Sequence, residues 1–313
     1  MITLQWVYFL AGAAFVAFSI MNLRDTMHPK RFGNAAFWGL MAVSMFFGDQ
    51  LGDFNNGLLV LALVGLAAFG LIGRSASGEV AADVRQERSD RFGNGLFAIA
   101  LIIPVTALAG TFLFKQFPAY FDVKQVTLIS LALGVIIALA AGHAWLRAAP
   151  ALPLEQGRRL IDSVGWAAIL PQMLASLGAV FALAGVGDVV GELIQMAIPE
   201  GSLIGAVIAF GLGMALFTMI MGNAFAAFPV MTAAIGMPLL IEQYGGNPAI
   251  VCAIGMLAGF CGTLMTPMAA NFNLVPAALL ELKDENGVIK QQIGTAVPLL
   301  IVNIIFIYIF AFR

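Results

Sequence analysis

Apolar residues run in long blocks along this chain, separated by short polar stretches, and the blocks show no two-residue alternation. Ten blocks can be drawn, at roughly 4–22, 34–48, 56–73, 94–114, 126–146, 161–184, 203–221, 224–241, 249–265 and 295–312. About 20 apolar residues carry an α-helix across the hydrocarbon of a bilayer, and apart from the short second block these approach that length. The pattern predicts an all-α polytopic membrane protein with about ten transmembrane helices. A transmembrane β-barrel would instead alternate in segments of about ten residues. The stretch 266–281 is too short and too broken to count as a span.

Composition points the same way. Of 313 residues, 61% are hydrophobic and 10% charged, with a mean hydropathy of +0.97. An average soluble domain is about 25% charged. The N-terminal "MITLQWVYFLAGAAFVAFSIMN" lacks a basic leader, and its apolar run is too long for a signal peptide, so it reads as a retained first span. The two cysteines, Cys252 and Cys261, stand nine residues apart, on opposite faces of one helix, which argues against a disulfide.

Charge then sets an orientation. Arg24, Lys30 and Arg31 follow the first span, Arg74, Arg85, Arg88 and Arg91 the third, and Arg147, Arg158 and Arg159 the fifth. The alternate loops hold none, two (Lys115, Lys124) and none. Basic residues concentrate in cytoplasmic loops. The N-terminus is therefore expected outside. The loop 74–93 reads as a solvated segment with room for a surface helix. "RFGN" occurs at Arg31–Asn34 and again at Arg91–Asn94, and reads as a shared entry device with the asparagine as helix cap.

Residues 1–159 hold twelve of the fifteen Lys and Arg, and none lies between Leu160 and Leu282. This predicts an N-terminal five-span scaffold with basic cytoplasmic loops, 1–160, and a C-terminal transport region with discontinuous helices, 161–313.

Three places in the C-terminal region interrupt an apolar run: "AGVGDVVGELI" at 184–194, "TMIMGNAFAAFPVMTAAIGMP" at 218–238 and "FCGTLMTPMAANFNLVP" at 260–276. Unwound backbone at membrane depth survives only where protein or a water-filled cavity satisfies it. Secondary transporters place such breaks at their binding sites. Gly222, Asn223 and Pro229 would unwind one break, with Thr218 and Thr232 nearby. Gly262 and Pro267 would unwind another, where Thr263, Thr266, Asn271 and Asn273 supply neutral hydrogen-bonding groups and Pro276 opens a half-helix at 276–281. Neutral amides and hydroxyls bind and release without a fixed charge in low dielectric. They suit a small monoanion, or a sodium ion held by hydroxyls and carbonyls. Asp188 and Glu192, one helical turn apart, are solvated if they lie in an outer loop and are proton carriers if the glycines around them mark a re-entrant tip.

Other small residues read as packing faces: Gly205, Ala209 and Gly213 on one helix, Gly255 and Gly259 on another. No HExxH, CxxC, P-loop or GxSxG motif occurs, and two distant histidines make a metal site improbable, so an enzyme is not expected. No metal and no resident cofactor are expected. A coupling sodium ion or proton fits a carrier.

"MGNAFAAFPVMTAAIGMPLL" at 221–240 and "GFCGTLMTPMAANFNLVPAALLELKDENGVIK" at 259–290, supported by "GWAAILPQMLASLGAVFALAGVG" at 165–187, resemble a bacterial inner-membrane family long carried as a domain of unknown function and labelled as one subunit of a 5-oxoproline (pyroglutamate) transporter. That family is similar to the ion-transporter superfamily of organic-anion carriers. The resemblance implies broken helices with re-entrant hairpins and a second, smaller membrane subunit. It also implies a substrate site among Gly222, Asn223, Gly262, Thr263, Thr266, Pro267, Asn271 and Asn273. Expected partners are a small organic anion, the lipid bilayer, the smaller subunit and, as a further option, a homo-oligomer; nucleic acid is not among them. The alternatives are a non-catalytic membrane partner that scaffolds a separate carrier, or a carrier for another small carboxylate.

Overall fold

Every backbone polar group in lipid needs an internal partner, and helix supplies one. The computed structural model describes residues 1–74, 82–147, 149–197 and 201–312, and among these the regular structure is helical. Eight helical stretches are long and apolar enough to cross a membrane: Leu4–Arg24, Arg31–Ala68, Asp83–Phe114, Val126–Leu146, Leu152–Phe181, Leu203–Met221, Ala224–Gln243 and Gly287–Ala311. Pro248–Thr263 is a shorter apolar helix. The protein is a polytopic, all-α membrane protein. It divides into two compact units, Met1–Gly165 and Trp166–Arg313.

The first unit contains α1 (Leu4–Arg24), α2 (Arg31–Ala68), α3 (Ala82–Phe92), α4 (Leu96–Phe114), α5 (Val126–Leu146) and α6 (Leu152–Val164). The α2 element has 38 residues, and Gly52 inside it takes φ 69 and ψ 171, which breaks the helix. The chain folds back there. Residues eight apart on a straight helix are about 12 Å apart, yet Asn56 Nδ2 donates to the Gly48 carbonyl at 2.6 Å. The far end returns to the start: the Gly73 N–H donates to Asn34 Oδ1 at 2.9 Å, and Asn34 Nδ2 donates to the Gly73 carbonyl at 2.8 Å. Asn34 is thus a clamp inside α2 and not a helix cap, and Asn94 sits in the 3-10 turn Gly93–Gly95. Of the expected solvated loop, 75–81 lie outside the described residues and Ala82–Phe92 form the polar helix α3.

His28 is buried beside that clamp. The Lys30 N–H donates to its Nδ1 at 3.0 Å, and its Nε2 lies 3.2 Å from the Gly73 carbonyl and 3.1 Å from Asn34 Nδ2. Arg158, placed by the sequence in a loop, also lies buried, on α6. It bonds Asn22 Oδ1 at 3.2 Å and Asp25 Oδ2 at 3.1 Å, and faces Asp162 one turn away at 3.7 Å. Asp162 Oδ1 accepts from Trp38 Nε1 at 2.6 Å and from Asn22 Nδ2 at 3.2 Å. This network ties α1, α2 and α6 together. Gly165, at φ 55, then ends α6 and splits the expected span 161–184.

The second unit contains α7 (Leu170–Leu183), α8 (Val186–Ala197), α9 (Leu203–Met221), α10 (Ala224–Met231), a π-helix (Thr232–Gln243), α11 (Pro248–Thr263), α12 (Leu274–Leu279) and α13 (Gly287–Ala311). Its centre is α9, whose Val207, Phe210, Met214 and Ala215 are buried with Ile235 of the π-helix, Ala258 of α11 and Ile307 of α13. The packing reading of Gly255 and Gly259 holds. Gly255 faces Phe210 and Gly259 faces Met214, each closer than an added Cβ would allow. Gly211 likewise admits Ile304 of α13.

Candidate functional site

The first helix break is two residues long. Gly222 ends α9 in the left-handed region, φ 75, and its N–H donates to the Thr218 carbonyl at 2.7 Å. Asn223 is extended and opens α10, its Oδ1 accepting the Phe225 N–H at 2.8 Å. A left-handed C-cap followed at once by an asparagine N-cap turns the chain with few orphaned groups. Pro229 does not unwind the chain, contrary to the sequence expectation. It lies inside α10. The missing proline donor is followed by a change of register, with 232–243 as a π-helix that includes Pro238.

The second break is longer. After α11 ends at Thr263, residues 264–273 run as turns until α12 begins at Leu274, two residues before Pro276. Two side chains hold this segment. Asn273, fully buried, donates from Nδ2 to the Thr263 carbonyl at 2.9 Å and to the Thr266 carbonyl at 2.7 Å. Thr266 Oγ1 donates to the Met219 carbonyl of α9 at 2.8 Å and accepts the Met268 N–H at 3.2 Å.

These contacts bring the two breaks side by side. Gly222 lies against the Met268 carbonyl, and Gly262 against the Ala215 carbonyl, each leaving no room for a Cβ. Gly222, Gly262, Thr263, Thr266 and Asn273 therefore meet at one junction of α9, α11 and the unwound segment. Asn223 stands next to it as a cap. Asn271 is half-buried and makes no side-chain hydrogen bond among the described residues, and Pro267 is exposed.

Asn273 differs from the sequence picture in one respect. Both bonds run from its Nδ2, so it cannot donate to a bound carboxylate. Turning the amide over would set its oxygen against two carbonyls, so the orientation is fixed by chemistry. Its Oδ1 is left buried with no partner, as is the Thr218 hydroxyl of α9.

Asp188 and Glu192 are not part of this junction. The stretch 184–194, read as an outer loop or re-entrant tip, folds largely into α8, with 198–200 outside the described residues. Gly187 and Gly191 pack on Ala233 and Ala234 of the π-helix, while both carboxylates are exposed.

The sequence reading missed Asn303. It sits in the middle of α13 with 4% of its surface exposed, and its Nδ2 reaches Cys261 Sγ at 3.5 Å. It lines a cavity of about 310 Å³ with Leu257, Phe260, Thr263, Phe272 and Leu299 among the other walls. The signal was there: one amide in an otherwise apolar block. Cys252 and Cys261 are both free. Among the described residues, no three His, Cys, Asp or Glu side chains gather to hold a metal ion.

Residues 5–312 match the model of a family described as "Protein of unknown function (DUF979)". The chain belongs to this family. No curated protein and no solved structure matches it. The geometry can therefore be read only in its own terms. Two helix breaks share backbone contacts through neutral groups, and an apolar cavity adjoins them at Thr263.

Proposed function

We propose that this DUF979 chain is a subunit of a secondary transporter for a small organic anion, 5-oxoproline first, held where the two helix breaks meet. The observation that carries the reading is the Thr266 to Met219 hydrogen bond, between residues 47 apart in the chain, with Gly222 against Met268, which joins the two breaks into one junction. Irregular backbone of this kind, in a membrane unit, is the arrangement carriers use for solute and ion. No lysine or arginine lies between Leu160 and Leu282, so a monoanion with a neutral remainder suits the unit better than a dicarboxylate. Donors for the carboxylate come from the N-terminal turn of α10 and from Asn223 Nδ2, because Asn273 has none to give. The resemblance to the 5-oxoproline family adds the substrate and a smaller partner subunit, and the coupling ion is sodium or a proton. The solute moves without chemical change, across a bacterial inner membrane with the N-terminus outside.

A second reading takes support from Asn273 itself. A break clamped by its own side chain serves equally as a fixed contact surface for a separate carrier. Uptake of labelled 5-oxoproline into proteoliposomes decides between them. The chain alone, the chain with its smaller subunit, and the Asn271→Leu variant are compared with and without sodium and proton gradients. Gradient-driven uptake lost in the variant, with the complex intact, supports the carrier. Loss of the complex with uptake retained by the partner supports the scaffold. No uptake in any combination sinks the 5-oxoproline reading.

A further inference from the structure

The cavity between α11, the unwound segment and α13 has one polar group that the fold leaves nearly unused. Asn303 is buried in the wall, and its only hydrogen bond among the described residues runs to the Cys261 sulfur, a weak acceptor. Its second N–H and its oxygen have no described partner. An amide oxygen and N–H at a cavity wall with no protein partner are free to bond a ligand there. The remaining walls are Leu257, Phe260, Leu264, Phe272 and Leu299, with the Thr263 hydroxyl at the junction end. Leu257, Phe272 and Leu299 are about half-exposed, so the cavity is open on one side. No charged side chain lines it.

We infer that Asn303 is a specificity-determining residue that pairs with the amide edge of a small cyclic amide whose methylenes fill this cavity. The chemistry follows from the shape of the groups. A primary carboxamide presents N–H and C=O side by side. A ring amide is held cis, so its N–H and C=O also lie on one edge, and the two edges close a two-point pair. The apolar walls receive the methylenes, and the lack of charge requires that the part held here be neutral. An ester or ketone of the same size offers no N–H and leaves the Asn303 oxygen unpaired. A site built to bond an N–H rejects such an analogue.

The inference rests on the reading of this unit as a solute binder, and the test separates the two. The full chain in lipid nanodiscs is titrated with labelled 5-oxoproline. Its ring-oxygen counterpart, the lactone acid, which replaces N–H by O, is the competitor. The wild-type chain is expected to prefer the amide by about tenfold or more, the size of one buried hydrogen bond. In Asn303→Leu the preference is expected to collapse to near one. Equal binding of amide and lactone by the wild-type chain overturns the proposal without any variant. A preference that survives Asn303→Leu overturns the assignment to Asn303 and spares the solute reading. Binding of neither acid by the wild-type chain removes the solute reading for these acids, and the proposal with it.

Discussion

In the N-terminal unit the buried polar groups include an acid and a base that are cross-tied: Asp162 accepts from Trp38 and Asn22, and Arg158 spans Asn22 and Asp25. In the C-terminal unit they are neutral, and several oxygens stand without partners, among them Asn273 Oδ1, Thr218 Oγ1 and Thr232 Oγ1. Opposite charges in low dielectric are costly to separate once paired. Neutral groups exchange partners at small cost. The first arrangement suits helices that stay put, and the second suits a place where something enters and leaves.

Removing a charge should give the largest effect. Asp162→Ala leaves Arg158 buried beside a lost partner and the Trp38 N–H unbonded, and is expected to destabilise the first unit by about 3–5 kcal/mol, read as a drop in thermal unfolding in detergent. A shift no larger than a surface substitution would mean that the network is not holding α1, α2 and α6.

Gly222→Ala comes next. The left-handed backbone and the Met268 carbonyl both oppose a methyl there. A loss of about 2 kcal/mol or more in unfolding free energy is expected, together with loss of uptake. Asn273→Leu follows, at about 1–3 kcal/mol, because the Thr263 and Thr266 carbonyls lose their donor. Hydrogen exchange in 264–273 should rise in that variant, and unchanged protection would count against the clamp.

Asn271→Leu sharpens the contrast from the other side. With no bond to break, it should move stability by no more than about 0.5 kcal/mol while abolishing uptake. Equal losses of stability and uptake would make it one more structural residue.

The smallest effect belongs to Asp284, outside the spans, whose carboxyl is held below its ordinary value by the Lys290 ammonium at 2.6 Å. A depressed carboxyl contributes stability above its unfolded value of 3.8, and the contribution fades as the pH falls further through the folded value. The pair is exposed, so Asp284→Asn should flatten only the acid limb of a low-salt pH titration, and added salt should erase the difference.

Much of this was legible in the sequence, and the failures have reasons. Apolar blocks mark helices because lipid demands them, and Gly222 and Asn223 mark a break because few other residues turn a chain there; Gly262, expected to unwind the chain, stays helical inside α11 and instead lets the Ala215 carbonyl approach. Pro229 misled because a proline inside a helix need not unwind it when the register widens beyond it. The role of Asn273 was hidden because spacing does not say which way an unwound residue turns its amide. The Asp162 network was hidden for a different reason: its partners lie 124 and 140 residues away in the chain. Asn303 was overlooked because one amide hardly changes the hydropathy of 25 residues, although it changes the chemistry of a wall.

Gly52 has a consequence for where the nearby bases gather. A straight helix of 38 residues would hold its two ends about 57 Å apart, whereas the fold-back brings them together, with Lys30 Nζ reaching the Ile72 carbonyl at 3.1 Å. The bases near both ends of the hairpin, Lys30, Arg31 and Arg74, are thereby gathered at one end of it, and a cluster of this kind is what the positive-inside bias keeps on one side of a bilayer.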